Sequence, residues 1–209
     1  MYTPIFRKKT CQLLVDFNNS HIIYCSIRKK YEQLKKEERG QAEMEYWDIY
    51  DVDKQPTGRT MKRNDWNMKP GDYHLTVLGV LQNREGKYLI TKRVMTKAWA
   101  AGWWEVSGGG VQAGESSIEA VRREVIEETG IDVSDFDGGL QFTYRRDNPD
   151  EKDNYFVDVY KFTGDFEEKD VRPQEAETDG FKLATLDEIK EYAEQGIFLH
   201  YDSIKKVFE

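Results

Sequence analysis

Gly109–Ile131 reads GGVQAGESSIEAVRREVIEETGI, and the reading of this stretch decides the fold. Three glutamates, Glu124, Glu127 and Glu128, fall within five residues, directly after Arg122 and Arg123. On a helix, positions i, i+3 and i+4 lie on one face, so the three carboxylates crowd together. Like charges at that spacing repel unless a cation neutralises them. An oxygen-only cluster suits a hard divalent ion, Mg²⁺ or Mn²⁺, better than zinc. The helix has legible ends. Ser116, with Glu119 three residues on, forms a capping box, and Gly130 is a natural C-terminal cap. Ile118, Val121 and Val125 recur at helical spacing as its buried side. Ahead of the helix, Gly108, Gly109 and Gly110 read as a tight turn whose backbone can approach a ligand closely. A lone pair of adjacent glutamates usually marks a solvated helix face. Here a strand, glycines, an acidic loop with Glu115 and a carboxylate-bearing helix follow one another, which points to metal ions that bind phosphate oxygens.

Outward from this stretch, apolar runs alternate with turn signals. Upstream, Tyr46–Tyr50 (YWDIY) reads as a strand and Asp51–Gly58 as a turn-rich connector, while Arg59–Asn67 fits either a short helix or a loop. His74–Leu81 is a continuous apolar strand. Asn83–Gly86 (NREG) is a hairpin turn, Lys87–Arg93 the returning strand, and Trp103–Ser107 a short strand entering the glycines. Downstream, Leu140–Arg146 and Tyr155–Phe162 read as strands, Gly164–Asp179 as an acidic irregular loop, and Phe181–Ala184 as a last strand. Helices are expected over Leu186–Gln195 and Asp202–Phe208. Strands and helices interleaved without a repeat predict an α/β architecture, a mixed sheet with flanking helices.

The chain of 209 residues is 38% hydrophobic and 33% charged, with a net charge of −8. That composition belongs to a globular protein, and no apolar run reaches the roughly 20 residues that span a bilayer. The charge is uneven. Residues 1–43 hold nine Lys/Arg and five Asp/Glu, which leaves 22 basic and 34 acidic residues for 44–209. So acidic a domain is a poor binder of nucleic acid polymers, whose affinity depends on neutralising phosphates. Residues 1–43 share no periodicity with residues 44–209 and read as a separate N-terminal extension. Lys36–Gly40 can be written in purine-rich codons of a ribosome-binding site, so a biological start at Met44 is one expectation. Cys11 and Cys25 both lie in that extension, with no disulfide or zinc pattern, so a reducing cytoplasm is the default compartment.

The spacing within Gly109–Ile131 also matches G-x5-E-x7-R-E-U-x-E-E-x-G-U, with U aliphatic, at every fixed position over 23 residues. This is the Nudix box, and the chain resembles the Nudix hydrolases over roughly 44–209. The resemblance implies an α/β/α sandwich, hydrolysis of a diphosphate linked to another group with Mg²⁺ or Mn²⁺, and a homodimer as one assembly. It further implies that Glu124, Glu127 and Glu128 are metal ligands, assisted by the Gly109 carbonyl. Glu124 or Glu128 would share the general-base role, Arg123 would orient the glutamates, and Glu115 would pair with Arg123. Outside the box, Gln174–Ile189 resembles the segment in which a loop glutamate precedes the last strand. Glu177 aligns with that glutamate, and Glu175 is the fallback.

Arg93 and Lys92 end a strand near the expected cleft and are candidates to touch a substrate phosphate. Trp99, Trp103, Trp104 and Phe142 are aromatics that could stack on a base but are more often core. His74, at a strand start, reads as structural. Flanking residues (Glu45–Asp51, Pro56–Gly58, Gly71–His74 and Ile90–Arg93 with Lys97) resemble the isopentenyl-diphosphate-isomerase branch of the family. That isomerase uses a cysteine and histidines ahead of the box, and Val94–Gly110 contains neither residue type. Hydrolysis is therefore the leading expectation, with an isomerase-like enzyme and a non-catalytic ligand sensor as the alternatives. Candidate substrates are nucleoside diphosphates and their conjugates.

Overall fold

The computed structural model describes residues 45–209, apart from Asn64, Trp66 and Glu175. The expectations for residues 1–43, for a start at Met44 and for Glu175 lie outside the described residues. The first pairing is local. β1 (Tyr46–Tyr50) runs antiparallel to β2 (Pro56–Lys62) across the turn of residues 51–55. Asp51 Oδ1 accepts from the backbone N–H groups of Asp53 and Gln55, both at 2.9 Å, which closes that turn. The connector and the helix-or-loop reading thus give way to a strand in Pro56–Lys62. Pro56 is its first residue, where no ladder donor is needed.

The main sheet comprises seven strands among the described residues, with β5-β4-β3-β8-β7 as its path. β3 (His74–Asn83) is buried along most of its length and is its spine. One edge of β3 pairs in parallel with β8 (Tyr155–Gly164), from His74↔Tyr155 to Asn83↔Gly164. β7 (Asp137–Arg146) then pairs antiparallel with β8. The other edge of β3 is shared. Its C-terminal end pairs with β4 (Tyr88–Arg93) at Leu81↔Leu89, and its N-terminal part pairs with β6 (Ser107–Gly110) from Thr76↔Gly110 to Gly79↔Ser107. β4 in turn carries β5 (Trp104–Glu105) and β9 (Thr178–Ala184). Between β4 and β6 the sheet forks, and a fork leaves room that a continuous ladder would fill. Gly108–Gly110 are strand residues on one arm of this fork. The tight turn read from the sequence does not form, because β3 offers them a ladder partner.

α1 (Ser117–Thr129) covers one face of the sheet. It has the expected capping box at Ser116 and Glu119, and Gly130 closes it in the left-handed region at φ 74°. Val121 and Val125 of α1 join Leu75, Val77, Leu81 and Phe156 in one core cluster. The helix comes close because Gly79 of β3 has no side chain. A Cβ there would meet Val125 Cγ2 at 2.8 Å. On the opposite face, α2 (Leu186–Glu194), α3 (Tyr201–Ile204) and a 3-10 turn at Lys205–Val207 supply Ile189, Ile204, Val207 and Phe208 to a second cluster with Leu78, Val80 and Ile90. Burying two such faces is the main source of stability in the domain. The α/β/α layering expected from the sequence is present, and its fork sets the position of the acidic helix face. Among the described residues, no helix is long and apolar enough to cross a membrane.

Candidate active site

The acidic face of α1 meets β6 at the fork. Glu124 lies against Gly109, where an added Cβ would fall 2.3 Å from its Oε1. Only a glycine leaves the carboxylate that position. One turn on, Glu128 Oε2 accepts from the Gly108 N–H at 3.2 Å. Arg123 binds the group together. Its Nε donates to Glu115 Oε1 at 2.8 Å, and Nη2 donates to Glu115 Oε2 at 2.9 Å and to the Gly110 carbonyl at 3.2 Å. Its Nη1 donates to Glu124 Oε1 at 2.7 Å and to Glu127 Oε2 at 3.3 Å. A planar guanidinium with five N–H donors can hold three carboxylates and a carbonyl at once, which an ammonium cannot do in fixed geometry. The side chain of Glu124 is 12% exposed and that of Glu127 is 53% exposed, so Glu124 is the more enclosed of the two carboxylates.

Burial pushes the Glu124 carboxyl up, and the Arg123 guanidinium opposes that. Glu128 is pushed well above the usual carboxylate range, first by burial and then by the charges of Glu105 and Glu124. The sequence alone does not single out Glu105. Its signal there is a lone carboxylate inside an apolar strand, WWEVS, with nothing to say that it faces Glu128. Burial raises its carboxyl as well, against the opposing pull of Arg93. Glu105 and Glu124 thus raise the proton affinity of Glu128, and a hard divalent ion bound to carboxylate oxygens there would relieve that repulsion. Among the described residues, no three acidic or imidazole side chains converge on a single point, and Arg123 neutralises Glu124 and Glu127.

The substrate candidates separate. Arg93 Nη1 donates to both Glu105 oxygens, at 2.8 and 3.2 Å, and its guanidinium lies 5.9 Å from the Trp99 ring. A pocket of about 160 Å³ opens beside it, lined by Arg93, Trp99, Glu105, Gly108, Gly109 and His200. Lys92 points elsewhere, with its ammonium 5.9 Å from the Trp104 ring centroid. Glu177 pairs with Lys97 at 3.1 Å on the segment after β4, close enough for its charge to act on Glu105. Trp104 stacks on Tyr192 of α2 and Phe142 packs on the second core cluster, whereas Trp99 is exposed. His200 is a second residue that the sequence does not reveal. It adopts φ 59°, and its imidazole is pushed down to about 4 by burial and by the Arg146 and Arg93 guanidiniums.

This combination of fork, capped acidic helix and glycine strand defines a class. A model of the NUDIX domain matches residues 72–203, and the chain belongs to the Nudix hydrolase family. Among its relatives, an uncharacterised Nudix hydrolase of Listeria monocytogenes is 29% identical over 166 residues, covering 79% of this chain and 94% of that protein. An RNA pyrophosphohydrolase of Bartonella clarridgeiae is 30% identical over 126 residues, or 51% of this chain and 73% of that one. Among solved structures, DR0079 from Deinococcus radiodurans has the same fold, with a TM-score of 0.57 at 21% identity over 72% of this chain and 90% of its own.

Proposed function

We propose that this chain hydrolyses a diphosphate linkage in a nucleoside diphosphate or a related conjugate, with Mg²⁺ or Mn²⁺ as cofactor. The observation that carries this reading is the pair Glu124 and Glu128, one helical turn apart and enclosed against the β6 backbone at Gly109 and Gly108. Glu124, Glu127, Glu128 and the Gly109 carbonyl would hold the ion, which when bound supplies a more acidic water and offsets phosphate charge. The remaining chemistry belongs to the chain. Glu124 or Glu128 would share the task of accepting the proton of the attacking water, while Glu177 is the alternative base from outside the helix. Arg123 fixes Glu124 without reaching the substrate. Arg93 at the pocket wall would bind a phosphate oxygen. Lys92, turned toward Trp104, is the weaker candidate. The acidic balance of residues 44–209 favours a small substrate over a polymer. A cytoplasmic homodimer and a catalytic unit that needs only residues 44–209 complete the proposal.

The test is a panel of nucleoside diphosphates and their sugar or alcohol conjugates, incubated with Mg²⁺ or Mn²⁺ and read as phosphate release. Turnover of at least one member by the wild type, with a loss of a hundredfold or more (roughly 3 kcal/mol of barrier) in Glu128→Gln, is the expected result. Undiminished turnover in Glu128→Gln would remove the basis of the assignment.

A further inference from the structure

The hairpin of β1 and β2 precedes residues 72–203, the part of the chain that the domain model matches, yet three consecutive residues of β1 grip the segment that joins β6 to α1. The Tyr46 carbonyl accepts from the Ala113 N–H at 2.8 Å. Trp47, stacked on His74 at 3.9 Å and 9°, packs on Gly110, where an added Cβ would fall 2.7 Å from its Nε1. Asp48 Oδ2 accepts from the Gly114 N–H at 2.7 Å, at a residue held in the left-handed region with φ 81°.

The hairpin is itself anchored. Lys54, in the turn of residues 51–55, donates to Asp158 of β8, which is 2% exposed. The same carboxylate accepts from Thr143 of β7 and, through Oδ2, from Ser117 Oγ at 2.7 Å. Ser117 is the first residue of α1. A buried ion pair of this kind is stable only while its partners stay in place. The hairpin turn and the start of α1 are therefore fixed to one carboxylate.

The gripped segment is also where Arg123 finds its partners outside α1. Its guanidinium donates to Glu115 and to the Gly110 carbonyl, and Glu115 Oε2 accepts from the Gln112 N–H at 3.0 Å as well. Gly110 lies against Trp47, and Glu115 directly follows Gly114. Arg123 in turn donates to Glu124 and Glu127. A guanidinium orients a carboxylate only as firmly as its own partners are held.

Resting on the diphosphate hydrolase reading, we propose that Asp48 is a positioning residue for that reaction: its bond to the Gly114 N–H holds Glu115, and through Arg123 it sets Glu124 against Gly109. Asp48 acts through these residues and does not touch substrate.

The full ¹⁵N-arginine-labelled chain tests this without turnover. The Nε–H resonance of Arg123, identified by its loss in Arg123→Lys, reports the bond to Glu115. In Asp48→Ala it is expected to shift and to exchange faster with water, while Asp48→Asn, which keeps an acceptor oxygen, stays close to the wild type. Kinetics are expected to split in the same way. In Asp48→Ala kcat falls about tenfold with KM held, the scale on which loss of a group behind a metal ligand acts, and in Asp48→Asn it recovers. Asp48 is half-buried, so both variants are expected to melt close to the wild type. Asp48→Ser, which loses the reach of the carboxylate but stays polar, takes the place of Asp48→Ala if that variant does not fold. An Arg123 resonance unmoved in Asp48→Ala, or equal losses of kcat in Asp48→Ala and Asp48→Asn, overturns the proposal. A wild type that turns over nothing in the panel while Arg123 still responds to Asp48→Ala would instead sink the hydrolase reading and leave the hold of Asp48 on Arg123 assigned.

Discussion

His200→Asn is expected to make folding stability less sensitive to acid. Asparagine accepts the left-handed backbone at φ 59° better than most residues, so the substitution removes the imidazole without straining the turn before α3. In the folded protein the imidazole is pushed down to about 4 from 6.5, first by burial and then by Arg146 and Arg93. Between those two values the unfolded chain binds a proton that the folded chain refuses. This stability is present above pH 6.5, is lost as pH falls toward 4, and levels off below that. Complete, the loss is about 3 kcal/mol, of which about 2 kcal/mol has appeared by pH 5. The assay is urea unfolding of the wild type and His200→Asn at pH 8 and pH 5. The enclosed carboxyls of Glu105, Glu124 and Glu128 titrate in both proteins and cancel in the comparison. The wild type is expected to lose about 2 kcal/mol more than the variant over that interval. Equal losses in the two proteins would refute the burial and charge argument for this histidine.

Gly109→Ala is expected to fold normally yet lower kcat by about a hundredfold, the scale of a misplacement near 1 Å, because its Cβ would drive Glu124 aside. A normal kcat with an unchanged melting temperature would show that Glu124 has no part in the chemistry. Arg123→Met leaves Glu115 and Glu124 without their shared guanidinium and should cost about 2 kcal/mol in urea unfolding, whereas exposed Lys190→Met should cost almost nothing. Gly79→Ala forces a methyl against Val121 and Val125 and should cost about 1–3 kcal/mol of stability; a neutral result would mean that α1 can lift from β3 without penalty.

The α1 segment is almost wholly legible because its signals are local. Ser116 with Glu119, Val121 with Val125, Gly130 with Ile126, and Glu124 with Glu128 are each signals that span no more than four residues, and the helix forms as they dictate. Strand identity is legible wherever an apolar run is long, as in His74–Leu81 and Tyr155–Phe162. Pro56–Lys62 and Gly108–Gly110 carry the composition of turns and become strands only because β1 and β3 present free ladder partners, which no local pattern records. The same limit applies at the site. By itself the sequence determined a capped helix that carries three carboxylates, the order of strands around it, and the family to which that spacing belongs. Tertiary structure alone decided that β4 and β6 part beside β3, that Glu105 is brought to Glu128, that Lys92 turns away while Arg93 lines the pocket, and that His74 is locked between Trp47, Tyr155 and Asp153. Spacing along a helix fixes neighbours within a turn or two, but neighbours across a forked sheet depend on register between strands far apart in the chain.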